Sequence, residues 1–295
     1  MIPVMEHTEQ KSFSDFGKPR LADLAECQGW LPVRSENSHK GSNGRVLITG
    51  GERAMAGATC LAGWSAYISG AGLVRVACIP ENVTAITASR PELLVSGIRS
   101  TQQLKKLFRQ SDVLALGPGL GQSSWSRTIF EYCLEFGQPD IIDADGLNLL
   151  AKSPARQQNW ILTPHPAEAG RLLKCKTRDV QSDRISAVKE IVKQYGGICI
   201  LKGKNSLIAV NEKDLWVCPY GNSALAVAGT GDVLTGLLAG LLAQGMSAEK
   251  AAVAAVVLHA CAGDLHTAEH GGVGMLASDL MLPLRRLRNG YKPVK

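Results

Sequence analysis

An alternation along the chain limits its folds more than any other feature. Short apolar runs end in glycine or proline loops, and longer stretches with helical spacing follow them. Residues 45–49 stop at Gly50-Gly51, and small and apolar residues continue at helical spacing over 57–69. Residues 73–79 are a second buried run. Residues 112–116 lead into Gly117-Pro118-Gly119-Leu120-Gly121 and then a helical stretch over 125–136. The runs 140–143, 160–162 and 197–202 repeat the pattern, with helices expected over 167–173 and 182–195. Apolar runs without polar alternation mark strands covered on both faces, and a strand–helix–strand order gives parallel pairs with right-handed crossovers. The expected fold is therefore α/β: a single-domain, doubly wound, mostly parallel sheet with helices on both faces. Residues 207–210 and 215–219, joined across Asn211-Glu212-Lys213-Asp214, are expected to add a β-hairpin. Residues 233–244 and 248–262 are apolar almost throughout and should be buried helices, and a last helix is expected over 277–287. Residues 1–30 read as a tail and lead-in segment, and 31–290 as the domain.

With 295 residues, 45% hydrophobic, the chain can bury one large core. The net charge of +6 suits a small anionic substrate. Arg285, Arg286 and Arg288 cluster near the end, but no aromatic platform or groove-reading motif accompanies them. They read as a solvated helix face, and no nucleic-acid partner is expected. None of the eight cysteines forms a C-x-x-C pair, and most sit inside apolar runs, as reduced thiols in the cytoplasm do. Residues 1–20 lack an apolar signal core, and the apolar stretches 233–243 and 251–262 look too short to cross a bilayer. The expectation is a cytoplasmic protein without a membrane partner.

The loops that end the strands carry the unusual chemistry. Gly229-Thr230-Gly231-Asp232 stands just before an apolar helix. Two glycines allow a tight turn, and free amides at a helix start attract an anion. Asp232 there is either a helix-terminal stabiliser or a general base beside a phosphate pocket. Thr163-Pro164-His165-Pro166-Ala167-Glu168 sets an imidazole and a carboxylate three residues apart. Either His165 contacts substrate and Glu168 holds a hydrated magnesium ion, or the segment is a rigid turn capped by Glu168. Lys202-Gly203-Lys204-Asn205-Ser206, at a strand end, is either a nucleotide-phosphate contact or an ordinary turn. Asp143-Ala144-Asp145 places a carboxylate near a metal or ribose, or is an αβ turn. The dinucleotide spacing G-x-G-x-x-G is missing after the first strand, which argues against a dehydrogenase of that type. His259, His266 and His270 fall near Asp264, and His266 and His270 have metal-ligand spacing, but no H-E-x-x-H motif supports a site.

Seven segments in order resemble one family. They are Ser38-His39-Lys40-Gly41-Ser42-Asn43-Gly44-Arg45; Gly70-Ala71-Gly72-Leu73-Val74-Arg75-Val76; Gly117-Pro118-Gly119-Leu120-Gly121; Asp143-Ala144-Asp145-Gly146-Leu147-Asn148-Leu149-Leu150; Thr163-Pro164-His165-Pro166-Ala167-Glu168; Leu201-Lys202-Gly203; and Gly229-Thr230-Gly231-Asp232-Val233-Leu234-Thr235-Gly236. Together they resemble the ADP-dependent (S)-NAD(P)H-hydrate dehydratases, of ribokinase-like fold. The resemblance implies that ADP, with Mg2+, phosphorylates the hydroxyl of the hydrated nicotinamide ring in NADHX or NADPHX, and that phosphate then leaves. It implies that Asp232 is the base and that Gly231 contacts phosphates. It implies that Lys202, Gly203, Lys204, Asn205 and Ser206 line the AMP part of ADP. Ala58, Gly119 and His165 would touch the hydrated cofactor, with Asp232, and Glu168 would organise Mg2+ through water. Gly121, Asp145, Asn148, Asn222, Gly229 and Thr230 are implied in support. The resemblance also implies a homotetramer and functional pairing with an epimerase, whose domain is expected to be missing from this chain. Two departures stand out: Gly146 where the family has Ala, and Ala224-Leu225-Ala226-Val227 where it has Gly-Met-Ala-Ser/Thr. The alternative within the same fold is an ATP-dependent kinase for a vitamin precursor.

Overall fold

The computed structural model describes residues 18–292. In chain order the elements are β1 (Arg20–Leu21), α1 (Leu24–Trp30), β2 (Arg45–Thr49), α2 (Ala56–Ser69), β3 (Leu73–Cys78), α3 (Val83–Ser89), β4 (Leu94–Gly97), α4 (Thr101–Phe108), β5 (Val113–Leu116), α5 (Ser124–Tyr132), β6 (Ile141–Ile142), α6 (Ala144–Lys152), β7 (Ile161–Leu162), α7 (Pro166–Leu172), α8 (Thr177–Ser182), α9 (Arg184–Tyr195), β8 (Ile198–Leu201), β9 (Ser206–Ala209), β10 (Leu215–Cys218), α10 (Thr230–Ala243), α11 (Ala248–His270) and α12 (Met281–Arg288). The described strands form one sheet in the order β1-β10-β9-β8-β7-β6-β5-β2-β3-β4. Neighbours pair parallel except around β9, which runs against both β8 and β10. The expected hairpin is thus the one reversal in an otherwise parallel sheet.

Alternate residues of each strand feed opposite cores, as the two-residue period of a strand requires. Val46 and Ile48 of β2, with Ile198 and Ile200 of β8, enter the core under α2, α10 and α11. Leu47, Cys199 and Leu201 enter the core on the other face, under helices that include α5, α6 and α9. Both faces are covered, which is why β5 and β8 are buried at every position.

Several elements differ from the expectation. Residues 143–145 are the start of α6 rather than a simple turn. The helix expected over 182–195 begins at Arg184, because Asp183 caps it by accepting from the Ser186 amide at 2.9 Å. The lead-in segment joins the fold: β1 extends the sheet beside β10, and Cys27 of α1 is fully buried. The apolar run 251–262 belongs to α11, which extends to His270 and is long and apolar enough to cross a membrane by length and composition. Its expected shortness is corrected, but most of it is buried inside the protein against α1, α10 and α12.

Strand order reverses between β2 and β5, so a crevice opens beyond their carboxyl ends. The loops that line it touch. The Gly51 amide donates to the Pro118 carbonyl at 3.0 Å, and a Cβ at Gly50 would stand 2.0 Å from that oxygen. Behind the crevice α2 and α10 run together with almost no side chain between them. A Cβ on Gly236 would fall 1.9 Å from the Ala62 carbonyl oxygen, and the Ser65 hydroxyl donates to the Val233 carbonyl at 2.7 Å. Gly236→Ala must push these helices apart, and about 1–3 kcal/mol of stability should be lost. Urea unfolding would show this as a lower midpoint at unchanged slope; an unchanged midpoint would mean the contact is not rigid.

Candidate active site

The strand ends bring together groups that are far apart in sequence. Asp143 follows β6 and its side chain is 1% exposed. One carboxylate oxygen accepts from Lys202 Nζ at 2.9 Å, and the other accepts from Thr235 Oγ1 at 2.7 Å. Lys202 follows β8, and its Nζ also lies 3.9 Å from Glu168 Oε2. Thr235 sits on α10 one turn after Asp232, so Asp143 ties the helix start to the sheet. A Cβ on Gly231 would stand 3.3 Å from Lys202 Nζ, so the glycine packs closely against the ammonium. Three carboxyl groups, Asp143, Glu168 and Asp232, share this one buried cation.

Their proton affinities follow from that arrangement. Burial pushes Asp232 up to about 7, Asp143, Glu168 and Asp145 add repulsion, and Lys202 only partly offsets them. Burial likewise pushes Glu168 to about 7, with Lys202 opposing it and Asp143 adding to it. Burial would raise Asp143 too, but the Lys202 ammonium and hydrogen bonds from Lys202, Thr235 and Thr163 outweigh it and hold the group ionised. For Lys202 burial favours the neutral amine, yet Asp143 and Glu168 keep it charged.

Gly229 takes a left-handed conformation, φ 91°, at the N-cap of α10 and supplies no capping side chain. The first-turn amides of a long apolar helix are left for an anion. Thr230 fixes the turn: its hydroxyl donates to the carbonyls of Leu225 at 3.0 Å and Val227 at 3.1 Å. His259 of α11 bonds the Thr230 carbonyl through Nε2 at 2.9 Å, and burial lowers its pKa to about 4, so the ring is a neutral donor.

The Thr163 to Glu168 segment forms the rigid capped turn that its sequence allows. His165 caps α7, with Nδ1 accepting from the amides of Ala167 at 3.1 Å and Glu168 at 3.4 Å, while Glu168 Oε2 accepts from the His165 amide at 2.8 Å. The ring remains 46% exposed, and its Nε2 lies 3.3 Å from Glu168 Oε1. Burial, then Lys202 and Arg171, lower its pKa, which keeps it neutral.

Ala58 and Gly119 meet in the crevice: a Cβ on Gly119 would stand 3.0 Å from that of Ala58. Asp145 is engaged beside them, accepting from the Gly121 amide at 3.0 Å and from Asn148 Nδ2 at 3.1 Å, and Arg171 donates to Asn148 Oδ1 at 2.7 Å. Gly203 to Ser206 form the β8–β9 turn, with Gly203 at φ 140° and Asn205 at φ 52°. Ser206 Oγ bonds the Gly203 carbonyl at 2.9 Å, and Arg184 holds the carbonyls of Leu201 at 3.1 Å and Lys204. The turn and Lys202 therefore part company: Lys202 points inward to acids, not outward with Lys204 as a phosphate contact would. Asn222 is committed to Asp264 at 2.8 Å, the Ala224 amide at 2.9 Å and Thr267 at 3.2 Å, which makes it a brace for its loop. Gly146 suits its place, since a Cβ there would lie 2.9 Å from the Leu116 carbonyl oxygen. Val227, the other departure, is 38% exposed. The rings of His266 and His270 stack 4.7 Å apart, and among the described residues no three His, Cys, Asp or Glu side chains are grouped to hold a metal.

Sequence reasoning gave no role to Thr235 or Arg184, and it grouped His259 only with the histidines weighed as metal ligands, whereas it braces the Thr230 carbonyl. Thr235 had a signal: it is the lone hydroxyl in an otherwise apolar stretch of α10. Arg184 had none, since its partners are backbone carbonyls twenty residues on.

The model for the NAD(P)H-hydrate dehydratase family matches residues 46–286, which include all of these groups. The chain belongs to the NAD(P)H-hydrate dehydratase family. It is similar to a bifunctional NAD(P)H-hydrate repair enzyme of Coxiella burnetii, 44% identical over 93% of this chain and 56% of the relative. It is also similar to an ADP-dependent (S)-NAD(P)H-hydrate dehydratase of Neisseria meningitidis, 35% identical over 87% of this chain and 89% of the relative. Among solved structures, an ADP/ATP-dependent NAD(P)H-hydrate dehydratase from Bacillus subtilis, co-crystallised with ATP and Mg2+, superposes with a TM-score of 0.78 at 31% identity, covering 91% of this chain and 97% of that one. The fold is ribokinase-like. The chain spans about half the length of the bifunctional relatives it matches.

The raised Asp232 has a consequence for stability. An acid whose folded pKa exceeds its unfolded value stabilises the fold below the unfolded value, about 4, and that contribution is lost as pH rises to the folded value. The window here runs up to about 7. Asp232→Asn cannot ionise, so it should be more stable than the parent at about pH 8, by about 2 °C in Tm or more, with a smaller difference at about pH 5. Equal differences at both pH values would show that Asp232 titrates normally.

Proposed function

We propose that this chain restores NADH and NADPH from the S form of their hydrates, with ADP as phosphoryl donor. The observation that carries the reading is Asp232: a carboxylate with a pKa of about 7 in the first turn of an uncapped, amide-rich helix start. A base works best when its pKa lies near the operating pH. Asp232 would take the proton from the ring hydroxyl as that oxygen attacks the β-phosphorus of ADP, and AMP would leave. The ring phosphate would then depart with its C–O bond electrons while the neighbouring ring carbon gives up a proton. That forms the ring double bond, and the products are NAD(P)H, AMP and phosphate.

The other residues bind and orient. The amides of Gly231 and its neighbours would take up charge on the transferring group, where fixed donors are worth most. Ala58 and Gly119, with no bulk in the crevice, leave room for a nicotinamide ring, and the exposed His165 ring would contact it. Gly203 to Ser206 would line the AMP part of ADP. Lys202 would keep the acids from repelling each other as a polyanion arrives, rather than grip phosphate itself. Mg2+, when bound, would neutralise charge on the phosphates. Glu168 and Asp232 would hold its waters, in keeping with an ion that retains several waters and shares its shell with substrate. We also propose a homotetramer, pairing with an epimerase, and a cytoplasmic location. The last is supported by eight unpaired thiols, seven of them buried.

Two outcomes test the reading. Incubation with hydrated NADH, ADP and Mg2+ should bring back the dihydronicotinamide absorbance with release of AMP; a stable phosphorylated product without that absorbance would make the chain a small-molecule kinase instead. Turnover should rise with pH through about 7 as Asp232 loses its proton. Asp232→Asn should cut kcat by about 10³-fold while calorimetry finds ADP binding within a few fold of the parent. Retained turnover in that variant would remove Asp232 from the chemistry.

A further inference from the structure

A second cleft opens at the opposite pole, beside the amino ends of the strands. It has a volume of about 1070 Å³ and is lined by the end of α1, the last turns of α2, the α3–β4 connection and the end of α12. Four arginines face it, Arg34, Arg90, Arg285 and Arg288, against a single acid, Glu92. Among the described residues, Arg20, Arg45, Arg53, Arg178 and Arg286 each have a carboxylate partner, but none of these four does. The expectation that residues 285–288 form a solvated face fails for Arg288. Arg286 pairs with Glu269 at 2.7 Å, and Arg288 is half-buried, donating to the carbonyls of Ser69 at 2.8 Å and Pro32 at 2.7 Å. Burial, and then the nearby Arg34, lower the Arg288 pKa. Arg90 lies over the ring of Trp64 at 3.5 Å, and its Nε is buried with no hydrogen-bond partner. Tyr67 adds a second aromatic wall.

We propose that this cleft binds a phosphate-bearing nucleotide, at a site separate from the catalytic crevice. Guanidinium groups are the usual bidentate partners of phosphate, and a planar ring stacks on aromatic and guanidinium faces. The volume matches a ligand of nucleotide size. Of the two helices that begin at the catalytic crevice, α2 ends in this cleft and α10 ends beside it. α2 runs from Ala56 beside Ala58 to Ser69, and α10 runs from Thr230 to Ala243 and is followed by Gln244, whose side chain donates to the Ser69 carbonyl at 3.0 Å and accepts from Arg288 at 3.1 Å. A ligand on Arg288 therefore touches the far ends of the two helices that carry the catalytic loops.

Photolabelling with 8-azido-ADP, followed by peptide mapping of the whole chain, tests the site directly. Label is expected on peptides containing Trp64, Arg90 or Arg285, in addition to any label at the strand-end loops. Label confined to the strand-end loops would overturn the proposal. Arg285→Glu and Arg90→Ala are made singly, because Arg285 is exposed and its variant should fold even if the other does not. Each should lower labelling of the remote peptides by about tenfold and leave labelling of the strand-end loops unchanged. Inorganic tripolyphosphate should compete about tenfold more weakly than ADP, since it has no ring to stack. Equal competition would reduce the cleft to a general anion trap and overturn the nucleotide assignment. A change of molecular mass by light scattering in Arg285→Glu would instead make the cleft a contact between copies of the chain, which also overturns it. None of these readouts uses turnover, so they stand or fall apart from the dehydratase assay.

Discussion

One buried ion pair organises the catalytic end of this protein. Asp143 and Lys202 come from neighbouring regions of the sheet, and each would be costly to bury alone. Together, and with Thr235, they join three parts of the fold: the end of β6, the end of β8 and the first turns of α10. The pair leaves Lys202 with charge to spare for Glu168 and Asp232, but not enough to satisfy both. Burial lifts both carboxyl groups into the neutral range, and that shortfall leaves the lift only partly offset. The same ion pair thus sets both the position of the helix start and the proton affinity of the carboxylate on it.

The frame behind the site is correspondingly stiff. Gly236 and Gly240 allow α2 and α10 to meet at backbone distance, where a single methyl group would collide with a carbonyl oxygen or a serine hydroxyl. Helices locked in this way move as one body, and their two ends keep a fixed spacing. The loop after β2 and the start of α10 therefore hold the two walls of the crevice at a set width. Substrate recognition then depends on what lines the crevice, where Ala58 and Gly119 leave space.

Much of this was legible in the sequence, for identifiable reasons. The buried strands showed as apolar runs because both faces are covered, and the strand-end loops showed because glycines and prolines are concentrated in their turns. The α3, β4 and α4 region was silent: residues 83–108 have mixed polarity, and β4 lies at a sheet edge where one side meets solvent. Asp143 remained ambiguous because its meaning depends on Lys202, 59 residues away. For Lys202 local reasoning pointed outward, to phosphate, since a lysine in a glycine turn is normally solvated. Only the three-dimensional arrangement of acids turns it inward. The remote arginines were read as a surface face for the same reason: Arg34 and Arg90 lie far from Arg285 and Arg288 in the chain.

The two rims of the sheet have a consequence for survival in a crowded cell. An open row of backbone donors and acceptors invites another chain to dock by strand addition. Here one rim ends in a strand of only two residues, Arg20 and Leu21, and the guanidinium of Arg20 lies 4.0 Å over the Trp216 ring while pairing with Glu249. The other rim, Leu94 to Gly97, is four residues long and ends in Ser96 and Gly97, a poor template for extension. Brevity at both margins, with a charge posted at one, guards a large and very apolar sheet against templating its own aggregation.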